Sequence, residues 1–182
     1  MNRTASTRRS LRGFTAVELC AALGIAAALV GQAVPAMQQM RHQQALRAHA
    51  EALAGDLRFA RSEAARLSRS VYFRVSSKGA NACYVLHTGA RNDCDCAGGQ
   101  AVCRVPGSEV IKAEWLPSSR PLTLQSNAET LEFQHRQGLV TQTGSIELKL
   151  AGGSGVRQVV AITGRVRSCY TGPKVAGLKK CA

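Results

Sequence analysis

One run decides what this chain can be. Residues 16–35, AVELCAALGIAAALVGQAVP, hold a single charged side chain, Glu18, and follow a segment carrying Arg3, Arg8, Arg9 and Arg12 with no acid. At roughly 1.5 Å rise per residue, about twenty apolar residues cross the ~30 Å hydrocarbon layer of a bilayer. The flanking arginines place the N-terminus in the cytoplasm and the bulk of the chain beyond the membrane. A secretory signal peptide has a similar pattern, with small residues near 33–36 as a cleavage site. Glu18 weighs against that alternative, because a carboxylate within lipid costs on the order of 2.5–3.5 kcal/mol and is usually kept for a partner and a task. Cleavage between Gly13 and Phe14 would create an α-ammonium one helical turn before Glu18, and the two charges would neutralise each other.

The 182 residues allow one domain plus appendages. Aromatic residues make up only 4%, so a core must come mainly from Val, Leu, Ile and Ala. The formal charge of +13 favours anionic partners, nucleic acid or lipid headgroups. Of seven cysteines, Cys20 lies in the apolar run, while Cys83, Cys94, Cys96, Cys103, Cys169 and Cys181 form an even set beyond it. That set fits a disulfide framework in an oxidising compartment such as the periplasm, with fifteen pairings open.

Past Pro35, the residues Leu46, Ala50, Leu53, Leu57, Ala60, Ala64 and Leu67 recur at steps of three and four, one face of an amphipathic helix packed on a sheet. Arg47, Glu51, Arg58, Glu63 and Arg66 fall on its other faces. After Ser68 the period becomes two: Val71, Phe73 and Val75, then Leu131 and Phe133, then Ile146, Leu148 and Leu150 alternate with polar residues, as half-buried antiparallel strands do. The glycine-rich 151–155 segment reads as a hairpin loop and lacks the Lys-Ser/Thr of a phosphate cradle. Segment 90–107 is poor in apolar residues and reads as a loop stapled by sulfur. A zinc site there is disfavoured, since Cys-x-Cys is tighter than ligand pairs usually are and none of the four histidines lies in the segment. We expect Cys169 to join Cys181, closing a basic loop. His42, His49, His87 and His135 stand apart, with no Ser-His-Asp order or paired glutamates, so neither catalysis, nor a metal, nor a cofactor is expected.

The stretch Gly13-Phe14-Thr15-Ala16-Val17-Glu18-Leu19, behind a short basic leader and with Pro35 twenty-one residues after Phe14, resembles the class III signal of type IV pilins and pseudopilins. That resemblance implies a prepilin peptidase that cuts after Gly13 and methylates Phe14, and a Glu18 that pairs with a neighbouring subunit's N-terminal amine during filament assembly. It also implies an α+β, pilin-like fold, a long N-terminal helix on an antiparallel head. The expected divisions are a leader over 1–13, a transmembrane and filament-core helix over 14–36, its amphipathic half over 37–68 and a β-rich periplasmic head over 69–182. The subunit would sit in inner-membrane lipid before joining other pilins in a helical filament.

Three further stretches, 53–64 (LAGDLRFARSEA), 131–138 (LEFQHRQG) and 164–167 (GRVR), resemble the GspH/FimT group of minor pilins and pseudopilins. FimT-like members imply DNA uptake in natural transformation, with Gly-Arg-x-Arg as the DNA motif; GspH-like members imply type II secretion, or a structural role in priming assembly. After Glu147 no acid follows, whereas Lys149, Arg157, Arg165, Arg167, Lys174, Lys179 and Lys180 do. On a strand Arg165 and Arg167 would share a face about 6.6 Å apart, and guanidinium forks suit phosphates. Gly164 would permit an exposing turn. The expected DNA contacts are therefore Gly164, Arg165, Arg167, Lys149, Arg157, Lys179 and Lys180, independent of base sequence and sensitive to salt.

Overall fold

A computed structural model describes residues 13, 15–77, 82–116 and 122–181. Phe14 and positions 1–12, on which the cleavage expectation falls, lie outside them. The chain falls into two compact units, Met1–Met40 and Arg41–Ala182.

Helix α1 runs over Ala16–Leu67 with Pro35 inside it. Thr15 caps its start: the Thr15 hydroxyl accepts a hydrogen bond from the Glu18 amide at 3.3 Å. Thr15-Ala16-Val17-Glu18 is thus half of a capping box, and an acid in the first turn also suits the helix dipole. In the first unit the apolar side chains are exposed, Val17 at 79% and Ile25 at 65%. Its most apolar 18-residue window has a mean hydropathy of 1.9, long and apolar enough to cross a bilayer. At the far end Ser68 adopts φ 52°, with Ser68 N–H bonded to Ala65 O and Arg69 N–H to Ala64 O. These are the two bonds of a Schellman stop, made with serine where glycine is usual.

In the second unit β1 (Val71–Ser76), β2 (Cys83–His87), β5 (Val110–Trp115) and β7 (Thr130–Phe133) form a four-stranded antiparallel sheet in the order β5-β2-β1-β7. A second sheet has the order β11-β10-β9-β8-β6, from β6 (Leu122–Ser126), β8 (Gly144–Leu150), β9 (Gly155–Val160), β10 (Val166–Thr171) and β11 (Lys179–Lys180). The head therefore holds two main sheets instead of the single one expected, and β11 runs parallel to β10. One core joins them: Leu46, Leu53 and Leu57 of α1 meet Phe73 and Phe133 of the first sheet and Ile146 and Leu148 of the second, each 1% exposed or less. Burying each such side chain is worth about 1.5–3 kcal/mol, which is what holds α1 to both sheets.

The 90–107 segment is more ordered than a plain loop. Strands β3 (Cys94–Asp95) and β4 (Val102–Cys103) form a ribbon in which Cys94 faces and bonds Cys103, while Cys83 bonds Cys96. With Cys169 bonded to Cys181, disulfides take up all six cysteines of this unit. Arg74 ties the ribbon to β1, donating to the Asn92 and Cys94 carbonyls and to Glu129 at 2.9 Å, with Asp95 at 3.3 Å.

His87 is fully buried beside this ribbon, stacked on Tyr72 with 5.5 Å between ring centroids. Its Nδ1 donates to the Thr88 carbonyl at 3.0 Å, and among the described residues Nε2 has no partner. Burial holds its pKa below the ordinary histidine value. The folded chain thus binds this proton less readily than the unfolded chain, so the contribution is intact above about pH 6.5 and is lost as pH falls through the lowered folded value. Thermal melts between pH 7.5 and 5 are expected to show a falling midpoint, and His87→Phe should flatten the fall in that window; an equally steep fall in the variant assigns it to other groups.

Candidate nucleic-acid interface

The motif glycine sits in a tight hairpin between β9 and β10. Gly164 N–H donates to Ala161 O at 2.8 Å, and Ala161 N–H to Arg165 O at 3.0 Å. Gly164 has φ 72°. A three-residue loop of this kind, a turn closed by a left-handed residue, calls for glycine there. Strand β10 begins only at Val166, so Arg165 stands in the bulge before the strand and Arg167 within it, opposite Val159. Arg165 thus lies just before the strand on which the pair was expected to share a face, and it lines a groove whose lining does not include Arg167.

That groove, about 670 Å³ in volume, draws on three segments distant in sequence. Helix α1 supplies Arg58, Arg61, Ser62 and Ala65, spaced i, i+3, i+4 and i+7 on one face. The 134–139 turn supplies His135, Arg136 and Gly138, closed by Gly138 N–H to Gln134 O at 3.0 Å and Gln134 N–H to Leu139 O at 2.8 Å. The hairpin supplies Gly164, Arg165 and Val166. The backbones meet closely: a Cβ on Gly164 would stand 2.4 Å from Gly138 O and 3.1 Å from Arg61 Cδ. A Cβ on Gly138 would stand 2.7 Å from Arg61 Nε, so the Arg61 side chain lies across both glycines.

Among the described residues no carboxylate lies within 4.0 Å of Arg58, Arg61, Arg136, Arg165 or Arg167. All five are exposed. Sequence reading placed Arg58 among the outward faces of the helix and saw Arg61 and Arg136 only within family-like stretches. The signal available was that all three family-like stretches carry an arginine.

The other expected contacts lie elsewhere. Glu147, 7% exposed, is paired with Arg157 at 2.7 Å and Lys149 at 3.4 Å and accepts from Thr171. Burial pushes its carboxyl pKa up, but the Thr171 and Arg157 hydrogen bonds outweigh that and hold it below the usual range. Two of the seven bases that follow Glu147 are therefore turned towards that acid. Lys179 and Lys180 are exposed on β11, which the Cys169–Cys181 disulfide and a Cys181 N–H to Tyr170 O bond of 3.0 Å hold against β10.

A family model described as type II transport protein GspH matches residues 49–164. No curated protein matches the chain. The crystal structure of the type IV minor pilin FimU from Pseudomonas aeruginosa is similar with a TM-score of 0.50 and 18% identity, over 71% of this chain and 90% of that one. The minor pseudopilin EpsH from the type 2 secretion system of Vibrio cholerae scores 0.44 at 13% identity, over 68% and 94%. The matched segment covers most of the helix stripe and both sheets through to Gly164, and on that match the chain belongs to the GspH family of pilin-like proteins.

Proposed function

We propose that the chain is a FimT-like minor type IV pilin that joins or primes a pilus and holds extracellular DNA, without regard to base sequence, for uptake in natural transformation. The observation that carries this reading is the set of five exposed arginines around the Gly164 hairpin with no carboxylate within reach among the described residues. A positive surface not used up in internal pairs attracts phosphates, and guanidinium engages them through paired N–H donors. In this reading prepilin peptidase cuts between Gly13 and Phe14 and methylates the new terminus. Glu18 then neutralises that amine, and the exposed apolar part of α1 passes from inner-membrane lipid, with the head in the periplasm, into the filament among other pilins.

The test is DNA binding by the purified chain in neutral detergent. Arg165→Ala/Arg167→Ala is expected to weaken binding to a mixed-sequence duplex on the order of tenfold at moderate salt, with log affinity falling less steeply against log salt. Unchanged affinity in the double variant removes the motif from the interface. A second reading, a type II secretion pseudopilin, is favoured by the description of the matching family model. A deletion strain separates the two: lost transformation with intact secretion supports the first, and the reverse supports the second.

A further inference from the structure

We propose that the groove between α1 and the 161–165 hairpin is where the nucleic-acid backbone seats, so that phosphodiesters pass from Arg165 onto Arg61, Arg58 and Arg136 and not across the outer sheet face towards Lys149, Arg157, Lys179 and Lys180. This rests on the DNA-binding reading above and gives it a path.

Three observations carry it. First, arginines from three separate segments converge on one concave place, with no acid within 4.0 Å of them among the described residues. Like charges so gathered repel one another in the free protein, and an anion relieves that repulsion. Second, the place is a shallow, open groove of about 670 Å³ along which an extended backbone can lie, its arginines facing one shared space, with Ala65 and Val166 beside them for sugars. Gly138 and Gly164 keep its floor low, and Arg61 lies over both as part of that floor. Arg58 and Arg136 stand exposed in the lining. Third, the outer face offers less: Glu147 is paired with Arg157 and Lys149, so a phosphate arriving there competes with a carboxylate already in place.

The experiment uses the full chain in neutral detergent and a fluorescent duplex of arbitrary sequence, titrated at several salt concentrations. Arg58→Ala/Arg136→Ala is compared with Arg165→Ala/Arg167→Ala and with Lys179→Ala/Lys180→Ala. Arg61 is left intact because it packs on the glycines, and melting curves confirm that each variant is folded. The groove variant is expected to bind on the order of tenfold more weakly and to lose roughly 1–2 units of salt slope, because each duplex phosphate contact contributes about 0.9. The lysine variant should bind within a factor of about two of the parent.

If the groove variant binds as the parent does while the motif variant is weakened, the path is wrong and the DNA-binding reading stands. If none of the three variants loses affinity, both fall. A lysine variant weakened as much as the groove variant moves the path to the sheet face and overturns the proposal.

Discussion

Gly164→Ala is expected to destabilise the head by about 2–5 kcal/mol, the sum of two separate penalties. The backbone at 164 has φ 72°, where a side chain costs roughly 1–2 kcal/mol. The added methyl would also stand 2.4 Å from Gly138 O, a backbone atom of a hydrogen-bonded turn that yields only if the turn moves, at about 1–3 kcal/mol. Gly138→Ala provides the comparison. Its φ of 60° carries the same conformational penalty, but its Cβ meets the Arg61 side chain, which is exposed and able to swing aside. It should therefore cost less, about 1–2 kcal/mol. Gly164→Asn divides the two causes, because asparagine tolerates the left-handed region but still brings a Cβ. Urea unfolding of the three variants reads the order, and a Gly164→Ala midpoint equal to the parent's would show that the hairpin and the 134–139 turn do not abut as described. With the turn displaced, DNA affinity should fall too, even though every arginine remains.

This coupling explains what could and could not be read beforehand. The helix stripe from Leu46 to Leu67 and the strand residues Val71, Phe73, Leu131, Ile146 and Leu148 were legible because one side of each element is buried and the other wet, which leaves a period in the sequence. Strand β2 left none: all five residues from Cys83 to His87 are buried, so nothing alternates. The division into two sheets was equally hidden, since a period of two says which face is buried and not which strand lies alongside. The parallel β10–β11 pair depends on a disulfide that returns the chain tail to Cys169.

The site was half legible for a similar reason. Gly164-Arg165-Val166-Arg167 is contiguous, whereas Arg58, Arg61 and Arg136 become its neighbours only when α1, the 134–139 turn and the hairpin are folded together. On a helix, Arg58 and Arg61 look like any solvated face. Counting charge along the chain erred in the other direction, because the count began just after Glu147, the acid that holds two of the bases counted.

The other large effect is expected at Asp56, a carboxylate placed where α1 should present only apolar residues to its sheets. It is 7% exposed and lies beside Leu57, yet Tyr84 Oη donates to Oδ2 and Lys112 Nζ reaches Oδ1, both at 2.7 Å. These contacts bind α1 to two neighbouring strands, β2 and β5. Burial and the Asp56 hydrogen bond push the Tyr84 phenol far above its ordinary pKa, while the hydrogen bond to Asp56 raises the Lys112 ammonium. The two contacts are not worth the same. Tyr84 is 5% exposed, so without Asp56 its hydroxyl loses its acceptor away from water, at about 1–3 kcal/mol. The Lys112 side chain is 37% exposed, and water and salt replace most of what the ion pair gave, leaving about 0.5–1 kcal/mol. Asp56→Ala should thus cost about 1.5–4 kcal/mol. Asp56→Asn keeps an acceptor for Tyr84 and gives up mainly the ion pair, so it should cost nearer 1 kcal/mol. Tyr84→Phe removes the donor but leaves the buried Asp56 Oδ2 without it, so it should cost about 1–3 kcal/mol. If Asp56→Asn proved as damaging as Asp56→Ala in urea titrations, and its deficit vanished in high salt, charge and not the phenol hydrogen bond would be what secures this part of α1 to the first sheet.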